Sequence, residues 1–160
     1  MKDNEWMQLA IAKCAESLDP SVQNGAIIVN HKGYVAGHGR NELTFGVGGL
    51  DKWERPAKYM WVEHAERNAI YNAAFWGVST DEATMYCPWA SCADCARAIV
   101  MSGIARLVRF PMLKADGWQE SIQVGEEILK AGGVEIVELN IEDFDIPEGL
   151  RLGQFRDVSI

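Results

Sequence analysis

Residues 61–74 read WVEHAERNAIYNAA, and residues 87–103 read CPWASCADCARAIVMSG. Each predicts an amphipathic helix whose first turn carries side chains that no core requires. The first helix is expected from about Glu63 to Trp76, closed by Gly77. The second is expected from about Cys92 to Ser102, capped by Gly103. Between them ATMYCP (residues 83–88) reads as a short strand, and RLVRF (residues 106–110) follows the second helix as another. Alternation of this kind builds a sheet covered by helices.

Upstream, residues 4–17 place Trp6, Leu9, Ala10 and Cys14 near one helical face, and Pro20 stops that helix. GAIIVN (25–30) and GYVAGHG (33–39) then read as a hairpin of two mainly apolar strands. Residues 40–59, RNELTFGVGGLDKWERPAKY, form a long polar, glycine-rich stretch of the kind that carries function. Downstream, DGWQESIQVGEEILKAGG (116–133) predicts a third amphipathic helix, with Ile122, Ile128 and Leu129 inward. VEIVEL (134–139) is the last strand. The expected fold class is α/β: a three-layer α/β/α domain with a mixed five-stranded sheet, an N-terminal antiparallel hairpin, and the order α-β-β-α-β-α-β-α-β. Residues 1–139 are read as the domain. Residues 140–160, acidic and weakly periodic, are read as an extension of it.

The 160 residues are 48% hydrophobic, with a formal net charge of −8. The length suits one core. A surface this acidic disfavours long nucleic acid. A small phosphorylated molecule remains compatible, since a pocket needs only one or two cations. The apolar runs fall short of the ~20 residues that cross a bilayer, and the charged start MKDNEWMQLAIAKCAES does not resemble a signal peptide. The expectation is a soluble protein of the cytoplasm. There a C-x-x-C pair points to metal or redox chemistry rather than a disulfide staple.

Cys92 and Cys95 are three apart and share a helix face. A helix N-terminus lowers a thiol's pKa toward the metal-binding thiolate. With His64 they make three ligands, the pattern of a catalytic zinc with one open position. Cys87 is a weak fourth candidate, lying inside a strand beside Pro88. Cys14, on an apolar face, reads as a small core residue. Glu66 is two residues from His64 and poorly placed to ligate the same ion. It is well placed to take a proton from an activated water and return it to a substrate nitrogen. His64-Ala65-Glu66 followed by Cys92-Ala93-Asp94-Cys95 is the H-x-E, C-x-x-C signature of zinc nucleobase deaminases. Ser91 stands where that signature has proline, and it suits a helix cap.

On these residues the sequence resembles the cytidine deaminase superfamily, and within it the deoxycytidylate (dCMP) deaminases, phage-encoded ones included. SLDPSVQNGAIIVN (17–30), GHGRNE (37–42), EHAERNAI (63–70) and CADCARAIVMSGI (92–104) carry the resemblance. It implies one catalytic Zn²⁺ per subunit, held by His64, Cys92 and Cys95, with Glu66 as proton shuttle. It implies that the Ala65 amide faces the substrate carbonyl and that Asn41 holds the sugar. Asn41 also reads as a turn residue after a strand. Ser21, Asn24, Arg40, Lys58 and Arg67 are candidates for the phosphate by position or charge. Tyr86 and Trp89 flank the metal loop and could stack on a pyrimidine, though Tyr86 suits a core position as well. Trp118 is read as a packing or subunit-contact residue.

The resemblance further implies a homo-oligomer: hexamer, trimer or dimer. Relatives bind nucleotide effectors through G-Y-N-G, where this chain has Gly39-Arg40-Asn41-Glu42. Mg²⁺ would accompany such an effector. The expected reaction is dCMP to dUMP and ammonia, feeding dTMP synthesis. Alternatives keep the chemistry and change the substrate: cytidine, deoxycytidine, CMP, a modified cytosine nucleotide, guanine, or adenosine in tRNA. From other classes come a structural zinc module closed by Cys87 and a thiol redox protein.

Overall fold

The computed structural model describes residues 1–44, 47–112 and 117–153. The first residue of the stretch read as the third helix, Asp116, and the end of the expected extension, residues 154–160, lie outside it. Helix α1 (Asp3–Ala15) leads into the hairpin β1 (Gly25–Val29) and β2 (Val35–Arg40). A two-residue ladder follows, β3 (Glu42–Leu43) with β4 (Val62–Glu63), enclosing helix α2 (Lys58–Trp61). Then come α3 (Ala65–Trp76), β5 (Thr84–Tyr86), α4 (Ala93–Met101), β6 (Arg106–Arg109), α5 (Gln119–Ala131) and β7 (Glu135–Glu138).

The main sheet has the order β2-β1-β5-β6-β7. β1 is antiparallel to both neighbours, while β5, β6 and β7 run parallel. This is the mixed five-stranded sheet expected from the sequence. β1 is buried along its whole length, as an inner strand with both faces covered must be.

Two apolar layers flank the sheet. On one face Ala65 and Ala69 of α3, Ala96 and Ile99 of α4, and Leu129 of α5 pack on Ala26, Ile28, Met85 and Leu107. On the other, Trp6, Met7, Ala10 and Ile11 of α1 pack on Ile27, Val29, Tyr86, Val108 and Phe110. Leu139, Ile141, Phe144, Ile146 and Leu150 complete this second layer, so the segment after β7 lies against the sheet beside α1.

Strand alternation decides which side chains reach which layer. Met85 and Cys87 face the α3–α4 layer, and Tyr86 between them faces α1. The seating of α3 depends on two small residues of β2, Gly37, whose Cβ would meet Ala69 O, and Gly39. A Cβ on Gly39 of β2 would meet Ala65 O and Ala69 N, each at 2.4 Å. Only glycine lets the backbone of α3 come so close to the strand.

Candidate metal centre

α3 and α4 begin at the same end of the sheet, and each is capped by a potential metal ligand. The cap of α3 is His64, in extended backbone (φ −79, ψ 150). The cap of α4 is Cys92, also extended (φ −67, ψ 170). Cys95 follows one turn inside α4. Ser91 was expected to cap α4, but its buried hydroxyl makes no hydrogen bond of ordinary geometry. Instead the Ala93 N–H donates to Ser121 Oγ of α5 at 3.0 Å. Ser121 can reach because α5 presses Gly125 onto this loop, where a Cβ would lie 2.6 Å from Ser91 O.

His64 Nδ1 lies 3.5 Å from Cys92 Sγ and 3.5 Å from Cys95 Sγ. The three donor atoms lie within 4.8 Å of one another. A nitrogen and a sulfur at zinc's usual bond lengths, about 2.0 and 2.3 Å, and at a tetrahedral angle, are about 3.5 Å apart. The donor set therefore fits zinc in both chemistry and spacing. Among the described residues no other group forms such a cluster. Cys87 Sγ is engaged elsewhere, accepting from Asn24 Nδ2 at 3.3 Å.

The electrostatics suit metal binding. The Cys92 thiol is pushed down to about 4, chiefly by a hydrogen bond from Cys95 and then by His64, which together outweigh burial. Cys95, holding the remaining proton and buried, is raised well above the usual thiol range. Burial opposes charge on His64, yet the Cys92 hydrogen bond and the nearby Glu66 and Cys92 charges raise its pKa overall. Glu66 is only 2% exposed. Burial raises its carboxyl pKa; the His64 charge opposes this, and so does the nearby Ser91 hydroxyl, which lies close without forming a well-aligned bond. Arg67 Nη1 stands 3.7 Å from Cys95 Sγ, and its Nε donates to Glu63 Oε1 at 2.6 Å.

The other sequence candidates divide. Asn41 Oδ1 accepts from the Ala65 N–H at 3.0 Å, so those two residues are already joined at the tip of α3. Asn24 is buried against Cys87. Ser21 and Lys58 share the buried Asp19 carboxylate, Lys58 Nζ at 2.7 Å from Asp19 Oδ1. Trp89 packs with Ala90, Met112, Trp118 and Ile122 beside the metal loop. Arg40 is turned to Glu16 and Glu42. Tyr86 points away from the site: its ring packs near Trp6 and its hydroxyl donates to Asp3 Oδ1 at 2.8 Å. The core position is the one it occupies. Two residues missed as site residues are Ser121 and Trp118, whose ring stands edge-on 5.5 Å from the His64 ring. Neither belongs to a local motif.

The family model described as the cytidine and deoxycytidylate deaminase zinc-binding region matches residues 1–110. The chain belongs to this family. It is 34% identical over 141 residues to an uncharacterized deaminase in the luxG 3′ region of Aliivibrio fischeri, covering 86% of this chain and 92% of the relative. It is 35% identical over 115 residues to the mouse deoxycytidylate deaminase, covering 65% of this chain and 64% of the relative. The corresponding enzyme of phage T2 is 36% identical over 111 residues, covering 64% of this chain and 55% of that protein. The chain thus spans roughly half to two thirds of these deoxycytidylate deaminases. Among solved structures, the dCMP deaminase of cyanophage S-TIM5 in complex with dCMP and dUMP superposes with a TM-score of 0.71 at 25% identity, over 87% of this chain and 99% of that one.

Proposed function

We propose that the protein is a zinc-dependent deaminase that converts dCMP and water to dUMP and ammonia, supplying dTMP synthesis. The observation that carries this is the convergence of His64 Nδ1, Cys92 Sγ and Cys95 Sγ beside the buried carboxyl of Glu66, at two helix N-termini. The fold and sequence similarity to dCMP deaminases support the substrate.

His64, Cys92 and Cys95 hold the ion. Zinc in such a site supplies a Lewis acid with an open position, which makes a water nucleophilic near neutral pH. The Glu66 carboxylate takes a proton from the attacking water and delivers it to N3 of the cytosine ring. It then passes the second proton to N4 as the C4–N4 bond breaks and ammonia leaves. Burial keeps this carboxyl basic enough to accept a proton and free of competing water.

Asn41 and Ala65 meet at the tip of α3, where the Ala65 N–H donates to Asn41 Oδ1; we assign the pair to the sugar and the pyrimidine carbonyl, with substrate sharing or replacing that bond. Trp89 borders the base, and Ser21 and Asn24, from the loop before β1, line the approach together with Lys58 of α2. The reaction requires zinc alone; magnesium would enter only with a nucleotide effector. No described helix is long and apolar enough to cross a membrane. We place the protein in the cytoplasm, as a homo-oligomer with residues 1–139 as the catalytic domain and the remainder as its extension.

The test compares dCMP, deoxycytidine and CMP as substrates of the purified zinc-loaded protein, following loss of cytosine absorbance. Turnover of dCMP well above the other two is expected. Equal turnover of deoxycytidine would refute the nucleotide assignment.

A further inference from the structure

We propose that Arg151–Gly153 is a strap that positions the active site, with Arg151 as its positioning residue. The proposal rests on the reading of Asn41 and Ala65 as substrate contacts. The strap lies beyond residue 110, where the family match ends.

Residues 17–24 join α1 to β1 with no helix or strand of their own. Three hydrogen bonds tie this loop to Arg151. The Gln23 N–H donates to Arg151 O at 2.8 Å. The Arg151 N–H donates to Gln23 Oε1 at 3.1 Å, and Arg151 Nη2 donates to Asp19 O at 3.0 Å. Gln23 in turn donates from Nε2 to Ser17 O at 2.8 Å, which closes the loop on itself.

The same loop holds Asn41 from three directions. Ser17 Oγ donates to Asn41 O at 2.6 Å, and Asn41 Nδ2 donates to Val22 O at 3.2 Å. The Asn41 N–H donates to Asn24 O at 3.0 Å. Asn41 Oδ1 then accepts from Ala65, the residue between the metal ligand His64 and the acid Glu66. A continuous path of hydrogen bonds therefore runs from Arg151 to the tip of α3.

The strap also reaches the other half of the site. Leu152 is 2% exposed, and a Cβ on Gly153 would lie 2.6 Å from the Trp89 ring. Trp89 packs with Ala90 and Trp118, and Trp118 stands against His64. One three-residue segment thus supports both the loop behind Asn41 and the aromatic wall of the metal loop. A loop tied by so few bonds gains freedom with each one lost, and binding must then order it again.

The test uses the full chain loaded with zinc and the variants Arg151→Ala, Arg151→Lys and Gly153→Val. Arg151 is exposed, so its truncation leaves the core intact. Arg151→Ala is expected to raise KM for dCMP about threefold to tenfold, the usual worth of one hydrogen bond, with kcat within about twofold. Amide exchange at Gln23 and Asn41 should quicken by a similar factor, while Ile28 and Met85 keep their rates. Arg151→Lys should recover most of both effects, since an ammonium can still donate to Asp19 O. Gly153→Val should raise KM further by displacing Trp89. Unchanged KM and unchanged exchange in both Arg151→Ala and Gly153→Val would overturn the proposal, as would quickening that spreads equally to Ile28 and Met85. Wild-type protein inert toward dCMP would refute the substrate reading instead, and the exchange rates would still decide the strap.

Discussion

Replacing Glu66 with glutamine separates the chemistry from the scaffold more sharply than any other change. The side chain is 2% exposed, and the two residues are nearly the same size. Packing therefore survives, and what is lost is the ability to accept and return a proton. General acid–base catalysis contributes about 10²–10⁴ in rate. Glu66 is assigned to both the water and the leaving amine, so the loss should lie near the top of that range. A 10⁴-fold fall in kcat corresponds to about 5.4 kcal/mol at 1.36 kcal/mol per tenfold. Stability should move the other way. Burial raises the Glu66 pKa above 4.5, so its contribution to folding is complete below that value and is lost as pH rises through the folded pKa. At pH values above 4.5 the metal-free wild type bears the cost that burial places on ionising this carboxyl, and Glu66→Gln removes it. The assay follows dCMP absorbance, zinc per chain and thermal midpoint together. The expected variant is folded, holds as much zinc as wild type, melts no lower in its metal-free form, and turns over about 10⁴-fold more slowly. Retention of a tenth of the wild-type rate would refute the proton shuttle. Loss of zinc along with activity would make Glu66 a ligand instead.

Removing zinc with a chelator should lower the thermal midpoint by about 10 °C, since a ligand at a thousandfold excess over Kd adds about 4 kcal/mol and each kcal/mol shifts a domain of this size by about 2–4 °C. Cys92→Ala should show the same midpoint whether or not zinc is added, as measured by scanning calorimetry. Gly39→Ala should destabilise by about 1–3 kcal/mol in urea unfolding, because its Cβ meets backbone of α3 at 2.4 Å. That variant should also bind zinc more weakly, since α3 carries His64. The hydrogen bond from Arg106 lowers the Asp3 pKa from 3.8, with Tyr86 assisting against partial burial. Its stabilisation is therefore present above 3.8 and lost as pH falls through the lower folded value, so Asp3→Asn should flatten the acid limb of the stability curve.

Much of this molecule can be read before folding it. The helices α3, α4 and α5 announce themselves by apolar spacing and by a glycine just after the last turn of each, and Gly77 does take the left-handed conformation (φ 66) that such a cap needs. The two-residue strands β3 and β4 cannot be read, because no period fits inside two residues. Tyr86 shows a subtler limit. It neighbours the metal loop in sequence, but the pleat sends it to α1 and sends Cys87 into the α3–α4 layer. Choosing between those faces requires the register of β5, which depends on strands distant in sequence. Ser121 and Trp118 reach the metal loop only because Gly125 lets α5 approach it. Such contacts depend on how helices pack and leave no trace in a local motif.

The choice between a catalytic and a structural zinc turns on what else the site contains. A structural site gains by closing all four positions and has no use for a buried acid beside them. Here the nearest spare thiol, Cys87, faces Asn24, and the buried carboxyl of Glu66 lies close enough to feel the charges of His64 and Cys92. A buried carboxyl with a raised pKa is a liability to folding, and proteins keep such liabilities mainly where chemistry requires them. The scaffold also holds that carboxyl with care. Its neighbour Ala65 is tied through Asn41 to the loop before β1, and the helix behind it rests on Gly37 and Gly39, where a Cβ would meet its backbone. A site meant only to staple two helices would need the three ligands and none of these supports. Their presence together weighs toward a zinc that acts on a substrate.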